Sequence, residues 1–242
     1  FIAPLSLSGK TSLPFLPGEK LEYSLKWGFI PVGFATMEVS PRKHGDEEPW
    51  QIRFSVRTNN FADKFYKVRT NITSLVDSNF TRSLKYIKSQ QEGKTKKEIV
   101  VQFDYDEEKV VFTENKQTPR LLPLKRNVYD PLSIAFAFRF HPSTPQEKKT
   151  FPTCDGKKFL DVRLNVGKKS KIDVPYGSFL ANDVVPDMKN LSGVFKKSPK
   201  GILRVWYSSD NRRIPVKISS KVVVGSFTAQ LLKARGLQKK EN

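Results

Sequence analysis

Hydrophobic and polar residues alternate with a period of two along most of the chain, which is typical of half-buried β-strands. The alternation is clearest at residues 21–27, 34–39, 50–59, 99–114, 159–166, 201–207 and 214–224. Turn residues separate these segments, for example at 28–33 and at the acidic residues 106–108. This spacing predicts an all-β fold with one short helix, built as an antiparallel meander.

One segment, YDPLSIAFAFRFHP at residues 129–142, departs from the strand pattern. Asp130 suits an N-cap, Pro131 suits the first helical position and Pro142 supplies a stop. Its large apolar residues also alternate as in a strand: Leu132, Ile134, Phe136, Phe138 and Phe140. The capping residues and two alanines favour a buried helix of about ten residues, which we expect to lie across the sheet as a plug.

Residues 204–218, RVWYSSDNRRIPVKI, concentrate polar and aromatic residues and are open to two interpretations, a catalytic cluster or a turn. Asp and Asn within 208–211 favour a reversal of the chain because their side chains cap local backbone groups. We expect Asp210 to pair with Arg212 or Arg213. Pro215 has no amide donor and should lie near a strand end or on an edge. We therefore interpret the segment as a turn between two strands.

The chain is strongly basic, with 43 Lys and Arg against 24 Asp and Glu and a formal charge of +19. This excess predicts attraction to anionic lipid, lipopolysaccharide, acidic glycans or nucleic acid. A lysine-rich source proteome is the alternative explanation. A length of 242 residues suits one large β domain. We place this domain at residues 15–233, between an N-terminal extension at 1–14 and a basic tail at 234–242.

Candidate catalytic and metal-binding residues are sparse. His44 and His141 show no ligand spacing, and residues 104–108 lack the glycine and distal glutamate of a calcium loop, so we expect neither metal nor cofactor. Cys154 is the one cysteine, which excludes an intrachain disulfide and predicts a reduced thiol without a mechanistic role. Patterns of RNA-binding, helix-turn-helix and zinc-finger modules are absent, which speaks against nucleic-acid binding.

The chain shows no apolar run of the roughly 18 to 20 residues that a membrane helix needs. It begins with Phe1 rather than Met. This start indicates either a trimmed chain or a mature protein whose export signal has been removed.

Three segments together resemble a known bacterial family: residues 14–39 (PFLPGEKLEYSLKWGFIPVGFATMEV), 129–139 (YDPLSIAFAFR) and 201–231 (GILRVWYSSDNRRIPVKISSKVVVGSFTAQL). Their order and spacing are similar to the family catalogued as domain of unknown function 3108. The likeness runs from about Phe15 to Leu232 and is weakest at 155–187. Its strongest part is 205–216, where these residues match the family: Trp206, Asp210, Arg213, Ile214 and Pro215.

The resemblance implies an antiparallel sheet curled into an open barrel or spiral, with a β-sandwich as the alternative. It also implies an exported protein of the Gram-negative envelope, periplasmic or on the periplasmic side of the outer membrane, with no attached activity and no catalytic residues. We expect a non-enzymatic protein that binds a lipid, a glycolipid or another anionic envelope component. The expected ligand contacts are Phe136, Phe138, Phe140, Trp206, Arg212 and Arg213. One alternative is a structural or interaction module that docks on anionic glycan, lipid or a protein partner. A more remote alternative is an enzyme acting on acidic glycans.

Overall fold

A computed structural model describes residues 13–40, 47–141, 144–187, 202–222 and 225–240. The described residues form fourteen strands: β1 (Lys20–Trp27), β2 (Ile30–Val39), β3 (Trp50–Thr58), β4 (Val68–Val76), β5 (Ser83–Glu92), β6 (Thr95–Asp104), β7 (Lys109–Glu114), β8 (Arg120–Pro123), β9 (Lys148–Cys154), β10 (Phe159–Val174), β11 (Gly177–Pro186), β12 (Ile202–Ser208), β13 (Pro215–Val222) and β14 (Gly225–Arg235). Helix α1 (Asn60–Asp63) connects β3 to β4. Helix α2 (Ser133–Ala137) lies between β8 and β9 and continues as a 3₁₀ turn, Phe138–Phe140.

All of these strands belong to one antiparallel sheet in the order β8-β7-β6-β5-β4-β3-β2-β1-β14-β13-β12-β11-β10-β9. Sequential strands are neighbours within β1–β8 and within β9–β14, which confirms the predicted meander. The first and last strands join the two halves, for example through the pair Leu25 and Ala229. Since a single sheet forms, the barrel-like alternative applies and the sandwich does not.

The sheet curls so that its two edges approach each other. The turn between β9 and β10 packs on β6 and β7, where a Cβ on Gly156 would collide with the side chains of Phe112 and Val101. Lys157 Nζ lies 2.7 Å from Glu114 Oε2, which links this turn to β7. The edge strands β8 and β9 do not pair with each other, so the sheet is not closed. An isolated bridge between Tyr129 and Thr153 joins β9 to the segment before α2.

Helix α2 closes one end of the curled sheet, which we call the closed end. Phe136, Ala137 and Phe138 are at most 2% exposed, and Phe15 packs edge-on against Phe136 with ring centroids 5.6 Å apart. The predicted short helix and its burial on most sides are confirmed, but α2 has five residues and the 3₁₀ turn three, which is shorter than the predicted ten or so. The predicted stop, Pro142, lies outside the described residues. The turns β1–β2, β3–β4 and β5–β6 lie at the opposite end, which we call the open end.

Some boundaries differ from the sequence prediction. The first turn is shorter than 28–33, because β2 already begins at Ile30 after a register shift beside Lys26. Gly33 lies within β2, where any side chain would collide with the backbone of Arg57. Strand β10 runs to Val174 rather than ending at 166, because a second register shift lets pairing with β11 continue. Residues 201, 223 and 224 of two predicted strands lie outside the described part.

Candidate functional site

A buried carboxylate holds the start of α2. Asp130 Oδ1 accepts the backbone N–H groups of Leu132 and Ser133 at 2.8 and 2.9 Å. Asp130 therefore holds the turn that leads into α2, but the helix begins at Ser133, with Leu132 as its N-cap, and not at Pro131 as predicted. Asp130 Oδ2 accepts the hydroxyls of Ser74 and Ser83 at 2.5 and 2.7 Å. Burial raises the pKa of Asp130, although these hydrogen bonds oppose the shift. Because Ser74 and Ser83 belong to β4 and β5, Asp130 fastens the helix to the sheet.

A buried ion pair anchors the other end of the helical segment. Arg139 and Glu19 are each 1% exposed, and their side chains meet in two parallel hydrogen bonds of 2.6 and 2.9 Å. Arg139 also donates to the carbonyl of Pro14 at 3.0 Å, and its guanidinium carbon lies 5.0 Å from the ring centre of Phe15. A charged pair without water is stable only when its groups are this fully hydrogen-bonded. This pair therefore fixes the N-terminal segment on the helix.

The turn at 208–214 joins the same cluster. Arg139 Nε donates to the carbonyl of Arg212 at 3.0 Å, and Arg213 donates to the carbonyl of Arg139. The Tyr207 hydroxyl donates to the carbonyl of Ala135 at 3.1 Å. Burial and the neighbouring Arg139 charge lower the pKa of Arg213. All three segments that carried the family resemblance thus meet at the closed end.

Residues 204–218 form a turn between the paired strands β12 and β13, as predicted. Arg212 Nη2 lies 2.6 Å from Asp210 Oδ2, which confirms one of the two predicted ion pairs. Burial raises the pKa of Asp210, but the hydrogen bonds and charge of Arg212 and the Ser208 hydroxyl together hold it below its ordinary value. Pro215 is the first residue of β13, as expected for a residue that lacks an amide donor.

The structure brings together five of the six residues proposed as ligand contacts. Phe136 and Phe138 are buried, Phe140 is half-buried against Phe80 with ring centroids 4.8 Å apart, and the two arginines lie beside them. Trp206 is separate: it alternates with inward-facing Tyr207 along β12, and Lys217 Nζ lies 4.9 Å from its ring centre. The role of all six in ligand binding stays a prediction.

A small cavity of about 160 Å³ lies beside this turn. Its lining consists of Ser178, Phe179, Leu180, Ser209, Asp210, Arg212 and Lys240. Among the lining residues, Asp210 compensates the charge of Arg212, and Lys240 is a second cation. A volume of this size holds a few water molecules but no acyl chain.

The apolar residues on the inner face of the sheet become more exposed toward the open end. One row of paired apolar residues crosses six strands: Val166, Val184, Val205, Ile218, Ala229 and Leu25. Val166 and Val184 are 3% and 1% exposed, whereas the other four are only partly buried. Solvent therefore reaches apolar inner surface in this half of the barrel.

A second row of paired residues crosses β2 to β7: Met37, Phe54, Ile72, Lys88, Ile99 and Glu114. Its β1 neighbour is Leu21, four positions from Leu25 of the first row. Phe54, Ile72 and Ile99 are partly buried. The neighbouring row toward the closed end includes Ile52 and Val101, both 0% exposed. We call the partly buried apolar residues of both rows, with Val56, the open inner surface.

Lys88 is a cation on this apolar surface. Its neighbours across the strands are Ile72 and Ile99. Burial lowers the pKa of Lys88; Glu92 opposes the shift and Lys97 adds to it. Among the residues that the structure describes, Lys88 forms no ion pair within hydrogen-bonding distance. Lys97, in contrast, is paired with Glu114 at 2.6 Å.

Reactive residues offer little for catalysis. Cys154 is 0% exposed at the end of β9, and burial raises the pKa of its thiol to about 11. His141 is exposed at the end of the 3₁₀ turn; partial desolvation, together with the Lys149 and Arg213 charges, lowers its pKa. His44 lies outside the described part. Within the described ranges, no three or more His, Cys, Asp or Glu side chains are grouped to hold a metal ion. No described helix is both long and apolar enough to cross a bilayer.

Sequence reasoning missed Glu19, Arg139 and Lys88. A signal existed for Arg139, since it is the only charged residue in the apolar run 131–140 and a buried arginine requires a partner. Nothing in the local sequence identified Glu19 as that partner across 120 positions. Lys88 occupies an inward position in an alternating strand. Its apolar surroundings could not be inferred from the sequence, because they depend on which strands lie beside it.

Comparison with solved structures shows the fold. A β-barrel-like protein from Brucella abortus, of domain of unknown function 1849, matches with a TM-score of 0.61 and 12% identity over 93% of this chain and 99% of that chain. A provisionally assigned lipoprotein of Parabacteroides distasonis has a TM-score of 0.36 and 11% identity over 93% of this chain and 99% of its own. A provisionally assigned exported protein of Bacteroides fragilis with a YmcC-like fold has a TM-score of 0.35 and 11% identity over 92% and 98%. We draw no inference from the last two likenesses.

A comparison with curated protein sequences gave no match. The family and the barrel-like structure that do match indicate no enzymatic family. The family model described as "Protein of unknown function (DUF3108)" matches residues 22–232. This span includes most of all three segments noted in the sequence, and the chain therefore belongs to that family.

Proposed function

We propose that the protein is a non-enzymatic binder of an amphipathic anionic molecule, a lipid or glycolipid, in the envelope of a Gram-negative cell. The observation that carries the proposal is the open inner surface, where apolar side chains such as Phe54, Ile72 and Ile218 stay partly exposed inside a curled sheet. Apolar surface facing solvent inside a concave wall is characteristic of ligand sites. A ligand chain of hydrocarbon would cover this surface.

Lys88 supports an anionic head group on the ligand. A cation among apolar neighbours is poorly solvated, as the lowered pKa of Lys88 indicates. A carboxylate or phosphate beside Lys88 would accept a charge-assisted hydrogen bond from its ammonium group and balance the positive charge. The ligand would thus lie with its chain along the two rows and its head group at Lys88.

Binding of a fluorescent polyene fatty acid to the protein, in a solution without vesicles, tests the apolar part of this proposal. The fluorescence of the fatty acid reports its uptake. Ile72→Asp places a charge on the open inner surface and should abolish uptake. Ile87→Asp is the matched control, because Ile87 lies on the neighbouring strand, faces outward and is 38% exposed. Unchanged uptake by Ile72→Asp, or no uptake by the unaltered protein, would contradict the proposal.

The head-group contact requires a second comparison. Lys88→Met keeps the apolar stem and removes the charge, so fatty-acid affinity should fall by about 1.5–3 kcal/mol, or about 10- to 150-fold. The fatty alcohol of the same chain should bind both proteins equally. Lys85→Met, on the outer face of the same strand, is the control. Equal losses for acid and alcohol would show that Lys88 does not contact the head group.

The envelope location is part of the same proposal and rests on the family resemblance and the basic charge of the chain. Fractionation of cells that express the tagged protein tests it. Recovery in the cytoplasmic fraction would contradict an envelope role, whereas recovery with the periplasm or with membranes would agree with it.

A further inference from the structure

The turns of the open end carry large exposed aromatic residues. Six of them form what we call the aromatic rim: Trp27, Phe29, Phe61, Phe65, Tyr66 and Phe227. Phe29 is 99% exposed and Phe65 is 78% exposed. Soluble proteins seldom leave so many large apolar side chains together in water, and such groups mark interaction sites.

Hydrogen bonds between the turns make the rim one continuous surface. Gly28 donates to the carbonyl of Ser226 at 3.0 Å, which joins the β1–β2 turn to the start of β14. The Asn59 side chain donates to the carbonyl of Pro31 at 2.8 Å, which joins the α1 connection to the start of β2. The aromatic side chains therefore project from turns that hold one another in place.

Exposed cations surround the aromatic rim. They lie on β3, on the α1 connection and on the β5–β6 hairpin: Arg57, Lys64, Lys67, Lys94 and Lys96. Two carboxylates lie among the described residues here: Asp63, which is paired with Arg69 at 2.5 Å, and Glu92 at the end of β5, so the cations outnumber them. The surface is thus both apolar and positively charged.

The rim is continuous with the mouth of the barrel. Trp27 and Phe227 are paired across β1 and β14 and stack with ring centroids 6.4 Å apart. They stand two positions beyond Leu25 and Ala229, which belong to the open inner surface. A surface that docks on the rim therefore faces the opening of the barrel.

We propose that the aromatic rim docks on the surface of an anionic phospholipid bilayer. Aromatic side chains on projecting turns suit the interface between head groups and acyl chains, where Trp and Tyr are enriched in membrane proteins. The surrounding lysines attract anionic lipids, and the two effects add. This docking does not depend on ligand uptake, but it places the barrel opening against the membrane from which a lipid would come.

Sedimentation with vesicles tests the proposal. The protein should bind vesicles of phosphatidylcholine with phosphatidylglycerol far better than phosphatidylcholine alone. Binding should weaken from low salt to 0.15 M, where electrostatic attraction is screened over about 8 Å. Equal binding to both vesicle types, or no binding to anionic vesicles, would overturn the proposal; the second result is also the one expected if the rim receives a protein.

Two pairs of variants locate the binding surface. Phe29→Ser with Phe65→Ser should lower affinity for anionic vesicles about tenfold or more, because two large side chains no longer enter the interface. The control is Tyr176→Ser with Leu180→Ser, at the closed end, where these residues are 42% and 56% exposed. The control should bind as the unaltered protein does. Equal losses in the two double variants would overturn the assignment to the rim.

A charge comparison and a probe measurement complete the test. Lys64→Glu with Lys94→Glu should lower anionic-vesicle binding more than the matched pair Lys125→Glu with Lys168→Glu, and equal losses would overturn the role of the rim cations. Polyene fatty-acid uptake without vesicles is measured on the same proteins. Vesicle binding without uptake refutes only the proposed ligand site, and uptake without vesicle binding refutes only the rim.

Discussion

The buried pair of Glu19 and Arg139 gives the sharpest test of the structure. Glu19→Gln preserves the shape of the side chain but removes its charge. It also turns an amide N–H₂ toward a guanidinium that has only donors. Arg139 would then remain charged at 1% exposure without a compensating carboxylate. The perturbation is therefore the loss of a charge partner and not the creation of a cavity.

Breaking one side of a buried ion pair costs about 3–5 kcal/mol. For chains of this length each kcal/mol lowers the melting temperature by about 2–4 °C, so Glu19→Gln should melt about 6–20 °C lower. The control is Glu22→Gln, whose carboxylate pairs with Arg235 at the surface, with side chains 29% and 69% exposed. Exposed pairs contribute about 0–1 kcal/mol, so this variant should melt nearly as the unaltered protein does.

Urea unfolding followed by circular dichroism measures both variants. The double variant Glu19→Leu with Arg139→Met removes both charges and should recover part of the loss. Recovery should be incomplete because the carbonyls of Pro14 and Arg212 lose their donor. A loss below about 1 kcal/mol for Glu19→Gln, equal to that of Glu22→Gln, would refute the buried pair as the anchor of the closed end.

Three further predictions concern stability and reactivity. Phe136→Ala should cost about 3–5 kcal/mol in urea unfolding, because the ring is 2% exposed; a smaller loss together with altered fatty-acid uptake would place Phe136 in a ligand site instead. The thiol of Cys154 should react with a chromogenic disulfide only after unfolding, and Cys154→Ser should leave uptake unchanged; fast reaction of the native protein would contradict its burial. Hydrogen bonds from Lys157 and Lys97 lower the pKa of Glu114 from 4.5 to about 2, so its stabilisation is present above about pH 4.5 and is lost as the pH falls toward 2. Glu114→Gln should thus be less stable than the unaltered protein at pH 6 and equal to it near pH 2; a difference that persists at pH 2 would refute this assignment.

Local patterns predicted the local structure well. Alternation identified the strands around Leu21, Ile52 and Val216, since one face of each strand had to be buried. The Asp130–Pro131 signal correctly outweighed the strand-like alternation of the helical segment, because an aspartate before a proline favours a helix start whatever the spacing of the phenylalanines. The helix itself begins two residues later than predicted, at Ser133. The hairpin around residues 105–108 was placed within one residue.

Long-range pairing was not readable from the sequence. The pairing of β1 with β14 unites residues more than two hundred positions apart, and no local signal encodes that register. For the same reason, the sequence did not identify the open inner surface as the candidate ligand site. Leu25, Ile72 and Val205 look like ordinary core residues in their strands, and only the curl of the sheet shows that solvent reaches them. Prediction therefore favoured the phenylalanines of the helix, whose apolar character is concentrated in one segment.

Under the proposed function, the closed end of the barrel stabilises the fold and the open end recognises the ligand. At the closed end, charges such as Arg139 and Asp130 are buried and hydrogen-bonded, so a change there should lower the free energy of unfolding. At the open end, apolar residues such as Ile72 remain partly exposed, and their truncation removes little burial. Variants of the open inner surface should therefore alter uptake with little loss of stability, whereas variants of the closed end should do the reverse. If Glu19→Gln lowered fatty-acid affinity at a temperature where it stays folded, the two ends would be coupled, and the ligand site would have to extend to the helix.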